Sequence, residues 1–103
     1  MNQALLCSAF AGRNLVSSCY TDDGASVPRV VEPHMVAYTT ADNLALSAWF
    51  LGGATESQDG QGWREYLLDL MTNLVILPQT FQGPRAGYNA SGGQKLRNVQ
   101  CGL

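Results

Sequence analysis

The run SVPRVVEPHMVAYTT, residues 26–40, constrains the fold more than any other stretch of the chain. Val30, Val31, Val36 and Tyr38 mark it as a strand, because β-branched and aromatic side chains suit a pleated, half-buried surface. Yet Pro28 and Pro33 interrupt it, and proline has no N–H to give to a neighbouring ladder. The strand therefore lies at an edge, carries a bulge, or starts at Pro33. Arg29, Glu32 and His34 sit in the same run, and a buried charge costs free energy unless it is paired or used. On a regular strand alternate residues share a face, which sets Glu32 and His34 on one side and Arg29 on the other. A general-base role for Glu32 and His34 needs a nucleophile or a third orienting group. The chain has no Gly-x-Ser-x-Gly elbow, and His34 is its only histidine. Glu32 and His34 are thus expected as rim residues of a half-buried strand, and the chain as a non-enzyme.

Around this run the punctuation is that of a small β-rich domain. Residues 2–11 are good helix formers, with Leu5, Leu6, Ala9 and Phe10 on one stripe and Gly12 at the capping position. NLVSSCY follows as a strand and runs into the turn signal Asp22-Asp23-Gly24. Ala41-Asp42-Asn43 reads as a turn before the strand LALSAWFL, residues 44–51. A Gly/Ser/Asp-rich loop over 52–62 comes next. WREYLLDLMTNLVIL, residues 63–77, reads two ways. Trp63, Tyr66, Leu67, Leu70, Met71 and Leu74 have helical spacing, whereas Val75, Ile76 and Leu77 are strand-like and Pro78 ends the segment. The chain beyond Tyr88 reads as a weakly structured tail over 89–103, leaving 1–88 as a single domain. No βαβ spacing is present, so a mainly β, α+β class is expected.

Composition narrows the partners. At 103 residues the chain holds one domain. Only 14% of it is charged and the net charge is −2, so broad electrostatic binding of duplex DNA, which needs a basic surplus, is disfavoured. No stretch approaches the roughly 18 consecutive apolar residues of a membrane span. The N-terminus lacks a basic region ahead of its apolar patch and reads as a helix, not a signal peptide, which predicts a cytoplasmic protein. Cys7, Cys19 and Cys101 are odd in number and widely spaced; they are expected as small buried or unlinked thiols, not a disulfide or zinc framework. The acidic residues show no metal-ligand spacing, and no cofactor motif occurs; the glycine pairs 52–53 and 92–93 lack the Lys-Ser/Thr of a phosphate loop. Trp49, Trp63, Tyr66, Phe81 and Tyr88 read first as core, and second as a stacking platform helped by Arg64 or Arg85.

The run RVVEPHMVAY, the hairpin NLALSAWFL, then GWREYLLDLMTNLVIL and the Phe-x-x-Pro-Arg-x-x-Tyr of residues 81–88 together resemble a WYL domain. Members of that family carry an Arg-x-x-x-Pro strand start, a hairpin with a Trp-Tyr-Leu tripeptide and an Arg-x-Phe-x-Leu-Asp closing strand. The resemblance implies an Sm/SH3-like β-barrel of about five strands with an N-terminal helix, acting as a ligand-sensing regulatory module. On it, 63–68 is a strand and 69–73 a turn. Such domains usually follow a DNA-binding winged helix, some accompany bacterial defence systems, and nucleotides or short single strands are their implied ligands. The ligand-binding residues expected here are Arg29, His34, Trp49, Arg64 and Arg85. This chain departs from the family: only a leucine of the tripeptide survives at Leu44-Ala45-Leu46, and Leu67 and Leu70 stand where arginine is common. Those leucines support a second expectation, a protein–protein module that forms homo-oligomers through barrel edges.

Overall fold

The computed structural model describes residues 2–20, 28–53, 62–93 and 95–103. The turn read at 22–24 lies outside the described residues, as does 54–61 of the loop read over 52–62. The described order is a helix, α1 (Asn2–Gly12), then β1 (Asn14–Tyr20), β2 (Pro28–Thr39), β3 (Leu44–Gly53) and β4 (Gly62–Leu67). A single 3-10 turn, Leu68–Leu70, leads into β5 (Met71–Thr80), and β6 (Leu96–Gly102) closes the sequence of elements. All strand pairings are antiparallel, in the order β4-β3-β2-β1-β5, with β6 also on β2. The fold is therefore mainly β with one N-terminal helix. Among the described residues no ladder joins β4 to β5, the two ends of the path.

Helical spacing in 63–77 yields to strand, turn and strand. Tyr66, Leu68 and Met71 are buried in the same core, and in this fold that core lies on one face of a sheet. Pro78 does not end β5, which runs to Thr80. Among the described residues β5 pairs only with β1, so Pro78 sits on an outer strand, where a missing donor is tolerated. Leu70 packs against the core, and Leu67 is half-buried.

β2 explains both of its prolines. Pro28 is its first residue. Pro33 falls where one edge of β2 passes from one neighbour to another: β1 pairs as far as Val31, and β6 begins opposite Met35. No ladder on that edge requires an N–H from Pro33. On the other edge the register jumps from Pro33↔Ala48 to Met35↔Ser47, which makes His34 the extra residue of a bulge.

The bulge divides the molecule into two layers. Val31, Val36, Leu46 and Ala48 face the main core, which α1 covers with Leu6, Ala9 and Phe10. Leu5, expected on that stripe, is 43% exposed. The helix runs through Gly12, and Arg13, at φ 53°, is the left-handed residue that ends it. Arg13 also joins the helix end to the segment after β5: its carbonyl accepts from Phe81 N–H at 3.0 Å and its guanidinium donates to the Gln82 carbonyl at 3.1 Å. On the opposite face, Met35, Ala37 and Leu96 form a second small core with Tyr88.

Two expectations about the C-terminal part are corrected. Residues 96–102, read as part of a weakly structured tail, form β6 on β2, because Leu96 and Cys101 pack against the two cores. Cys101 forms a disulfide with Cys7, where unlinked thiols were expected; spacing in sequence cannot reveal a pair 94 residues apart. Their Cα atoms are 5.6 Å apart, within the span a disulfide bridges. Cys19 is buried in β1, outside that bond.

Candidate functional site

Cross-strand register builds the site. Glu32 lies opposite Trp49, and Trp49 opposite Trp63, so three adjacent strands present one row on the outer face. Residues 81–93 and 95, between β5 and β6, cross this row as a strap. Arg85 fastens it: Nε donates to Glu32 Oε1 at 2.7 Å and Nη2 to Oε2 at 2.9 Å, a bidentate pair. The same guanidinium sits 4.9 Å from the Trp49 ring centroid. The hydrogen bond to Glu32 holds the Arg85 pKa above its ordinary range.

His34 is enclosed between sheet and strap. The Arg85 backbone N–H donates to Nε2 at 3.0 Å, so the ring proton resides on Nδ1 and is donated to the Glu32 carbonyl at 2.8 Å. Both nitrogens are thus engaged, and the tautomer is set by its partners. Trp63, Phe81 and Tyr88 surround the ring at centroid distances of 4.7, 5.6 and 5.3 Å. Burial lowers the His34 pKa from 6.5, because charging the ring there loses hydration. Glu32 and His34 are 5% and 0% exposed, which corrects their expected place at a strand rim. Alternation alone exposes that face; the strap, whose Arg85 is 51 residues downstream of His34, covers it.

Of the five residues singled out from sequence, His34, Trp49 and Arg85 converge here. Arg64 stacks 5.2 Å from the Phe50 ring, with Nη1 donating to the Trp63 carbonyl at 3.0 Å. Arg29 lies apart, 6.0 Å from the Tyr20 ring and opposite Gly53. Sequence reasoning had no reason to join Glu32 to Arg85, which are 53 residues apart. The Pro84-Arg85 and Tyr88 positions of the 81–88 motif were the available signal.

Beside the clasp a groove of about 550 Å³ opens between β4 and the far half of the strap. Trp63, Arg64 and Glu65 form one wall; Tyr88, Asn89, Gly92, Gly93 and Lys95 form the other. The Trp63 and Tyr88 rings are near-parallel, 17° apart in plane and 6.5 Å between centroids. Trp63 is held by its indole N–H, which donates to the Ala86 carbonyl at 3.0 Å. Tyr88 donates to the Leu103 carbonyl at 3.3 Å, and burial raises its pKa. The strap needs glycine at two points: a Cβ on Gly87 (φ +95°) would meet Trp63 Nε1 at 3.1 Å, and one on Gly92 (φ +92°) the Leu96 carbonyl oxygen at 2.4 Å. Gly92 and Gly93 are therefore turn-forming.

Among the described residues no group of three or more His, Cys, Asp or Glu side chains is placed to hold a metal ion. No described helix is long and apolar enough to cross a membrane. No protein-family profile matches the chain, and no curated protein or solved structure is detectably similar to it.

Proposed function

We propose that this chain is a non-enzymatic, WYL-like ligand-binding and regulatory module whose groove takes a nucleotide or a short single strand. The groove carries this reading: two near-parallel aromatic rings stand beside the cation Lys95, against one carboxylate, Glu65. Stacking on aromatic rings with nearby cations suits a planar anionic ligand and needs no basic surplus over the whole molecule. The non-enzymatic part is supported by the clasp, where His34 has no unengaged nitrogen and both Glu32 oxygens are committed to Arg85. Strand order and the 3-10 turn between β4 and β5 support a small Sm/SH3-like barrel. A cytoplasmic location belongs to the same proposal.

The test is a thermal-shift and tryptophan-fluorescence titration with nucleoside mono- and triphosphates and short oligonucleotides. One of these ligands is expected to raise Tm. Trp63→Ala should weaken its binding roughly tenfold or more, the scale of one lost base–aromatic stack. Lys95→Glu should weaken it while leaving the unliganded Tm near wild type. If no ligand shifts Tm or fluorescence, or if Lys95→Glu binds like wild type, the groove is not the site.

A second reading, self-association through strand edges, is favoured by one observation. Val75 is 52% exposed on β5, an end strand of the pairing path.

A further inference from the structure

We infer that the Cys7–Cys101 disulfide is a redox latch: its reduction by a small-molecule thiol loosens the strap and with it the groove wall. Cys101 lies in β6, directly before the two residues that anchor the strap to β2. The Leu103 N–H donates to the His34 carbonyl at 3.0 Å, and the Leu103 carbonyl accepts from Tyr88 at 3.3 Å. Gly102 is wedged so tightly that a Cβ there would meet the His34 carbonyl oxygen at 2.9 Å and the Tyr88 hydroxyl at 3.0 Å. The disulfide holds this corner to α1, and α1 is seated in the core through Leu6, Ala9 and Phe10. One covalent bond therefore secures the end of β6, and through Tyr88 one ring of the Trp63–Tyr88 pair.

The bond is reachable. Cys7 and Cys101 are half-buried, and both line an open cleft of about 590 Å³ with Arg13 and Pro84. Cys7 also borders a second cleft, of about 670 Å³, on its other side. A thiolate attacks one sulfur, forming a mixed disulfide and releasing the other cysteine as thiolate. A second thiol then displaces the small molecule as its own disulfide. The protein gains two electrons and two protons, and the thiol pair loses them. In a compartment with a thiol pool, a disulfide of this kind is a redox-sensing bond and not a permanent one. Cys19 is buried in β1 and takes no part.

The consequence for ligand rests on the groove reading; the loosening of the strap does not. Intact mass of the purified, unreduced protein is compared with that after reduction and alkylation, and hydrogen exchange is followed in both states. Two alkylated cysteines gained on reduction are expected. At room temperature, amides of Arg85, Tyr88, Leu96 and Leu103 should exchange about tenfold or more faster, while β1, β3 and β5 keep their protection. A Cys7→Ser, Cys101→Ser double variant should reproduce the reduced pattern. An alkylation count unchanged by reduction overturns the inference. So does exchange that is unchanged, or that rises evenly over the whole chain, because the bond is then absent, inert or merely a global staple. If exchange changes as expected but no ligand binds in either state, the groove reading fails and the latch stands.

Discussion

His34 is the most consequential single residue, because its environment favours its neutral form. Protonation needs a second ring proton at Nε2, which already faces the Arg85 N–H donor. Burial therefore lowers its pKa in the folded state below the ordinary 6.5 of the unfolded chain. Between those two values the unfolded chain binds more protons, so stability rises with pH across that window and levels off above about 6.5. Tm is expected to fall as pH is lowered from 7.5 toward 5, beyond any trend shared with a His34→Gln variant. Parallel Tm–pH curves for the two proteins would remove His34 as the cause. Among the described residues, Glu32 and Arg85 are the charged groups that face this ring.

The strap is an element without regular secondary structure, held by specific contacts at a few points. Arg85 secures its middle and Arg13 its start, and the glycine turn at 92–93 returns the chain into β6. Positive charge as such does not hold it: Lys95 is exposed and belongs to the groove. Arg85→Ala leaves the buried Glu32 carboxylate without its partner; because the Arg85 side chain is itself 39% exposed, the loss is smaller than for a fully buried pair, and Tm is expected to fall by roughly 10 °C. Lys95→Ala, which removes the same charge from the same strap, should move Tm by no more than about 2 °C. Equal effects from the two substitutions would mean that net charge, and not the bidentate pair, sets the strap's stability. The motif Phe-x-x-Pro-Arg-x-x-Tyr was legible as a unit in the sequence. What it closes upon was not, because its partners lie on β2 and β4.

At the scale of the whole molecule, a six-stranded antiparallel sheet carries one core under α1 and a smaller one under the strap. Covering both faces buries apolar surface on each, the main favourable term available to a domain of this length. The outer strand β5 keeps Val75 on display, but Pro78 interrupts its edge and Asn73, at φ 54°, bends it. If self-association occurs through this edge, light scattering should give a dimer that Val75→Lys converts to monomer. A monomeric wild type at high protein concentration would sink the self-association reading and leave the groove untouched.

Local pattern alone determined the class of this protein: β-branched runs, turn residues and an apolar stripe encode the strands, the 41–43 turn and the helix within windows of a few residues. The family resemblance and the aromatic–arginine pairing singled out Arg29, His34, Trp49, Arg64 and Arg85, of which His34, Trp49 and Arg85 come together. Tertiary structure decided the rest. The bulge that adds His34 to β2, the strap that seals it, β6 and the Cys7–Cys101 bond all join positions far apart in the chain. Residue spacing fixes periodicity and face, but burial is decided only when a distant segment comes to cover that face. That is why a run that reads as an exposed rim became an enclosed polar cluster, with His34 at 0% and Glu32 at 5% exposure.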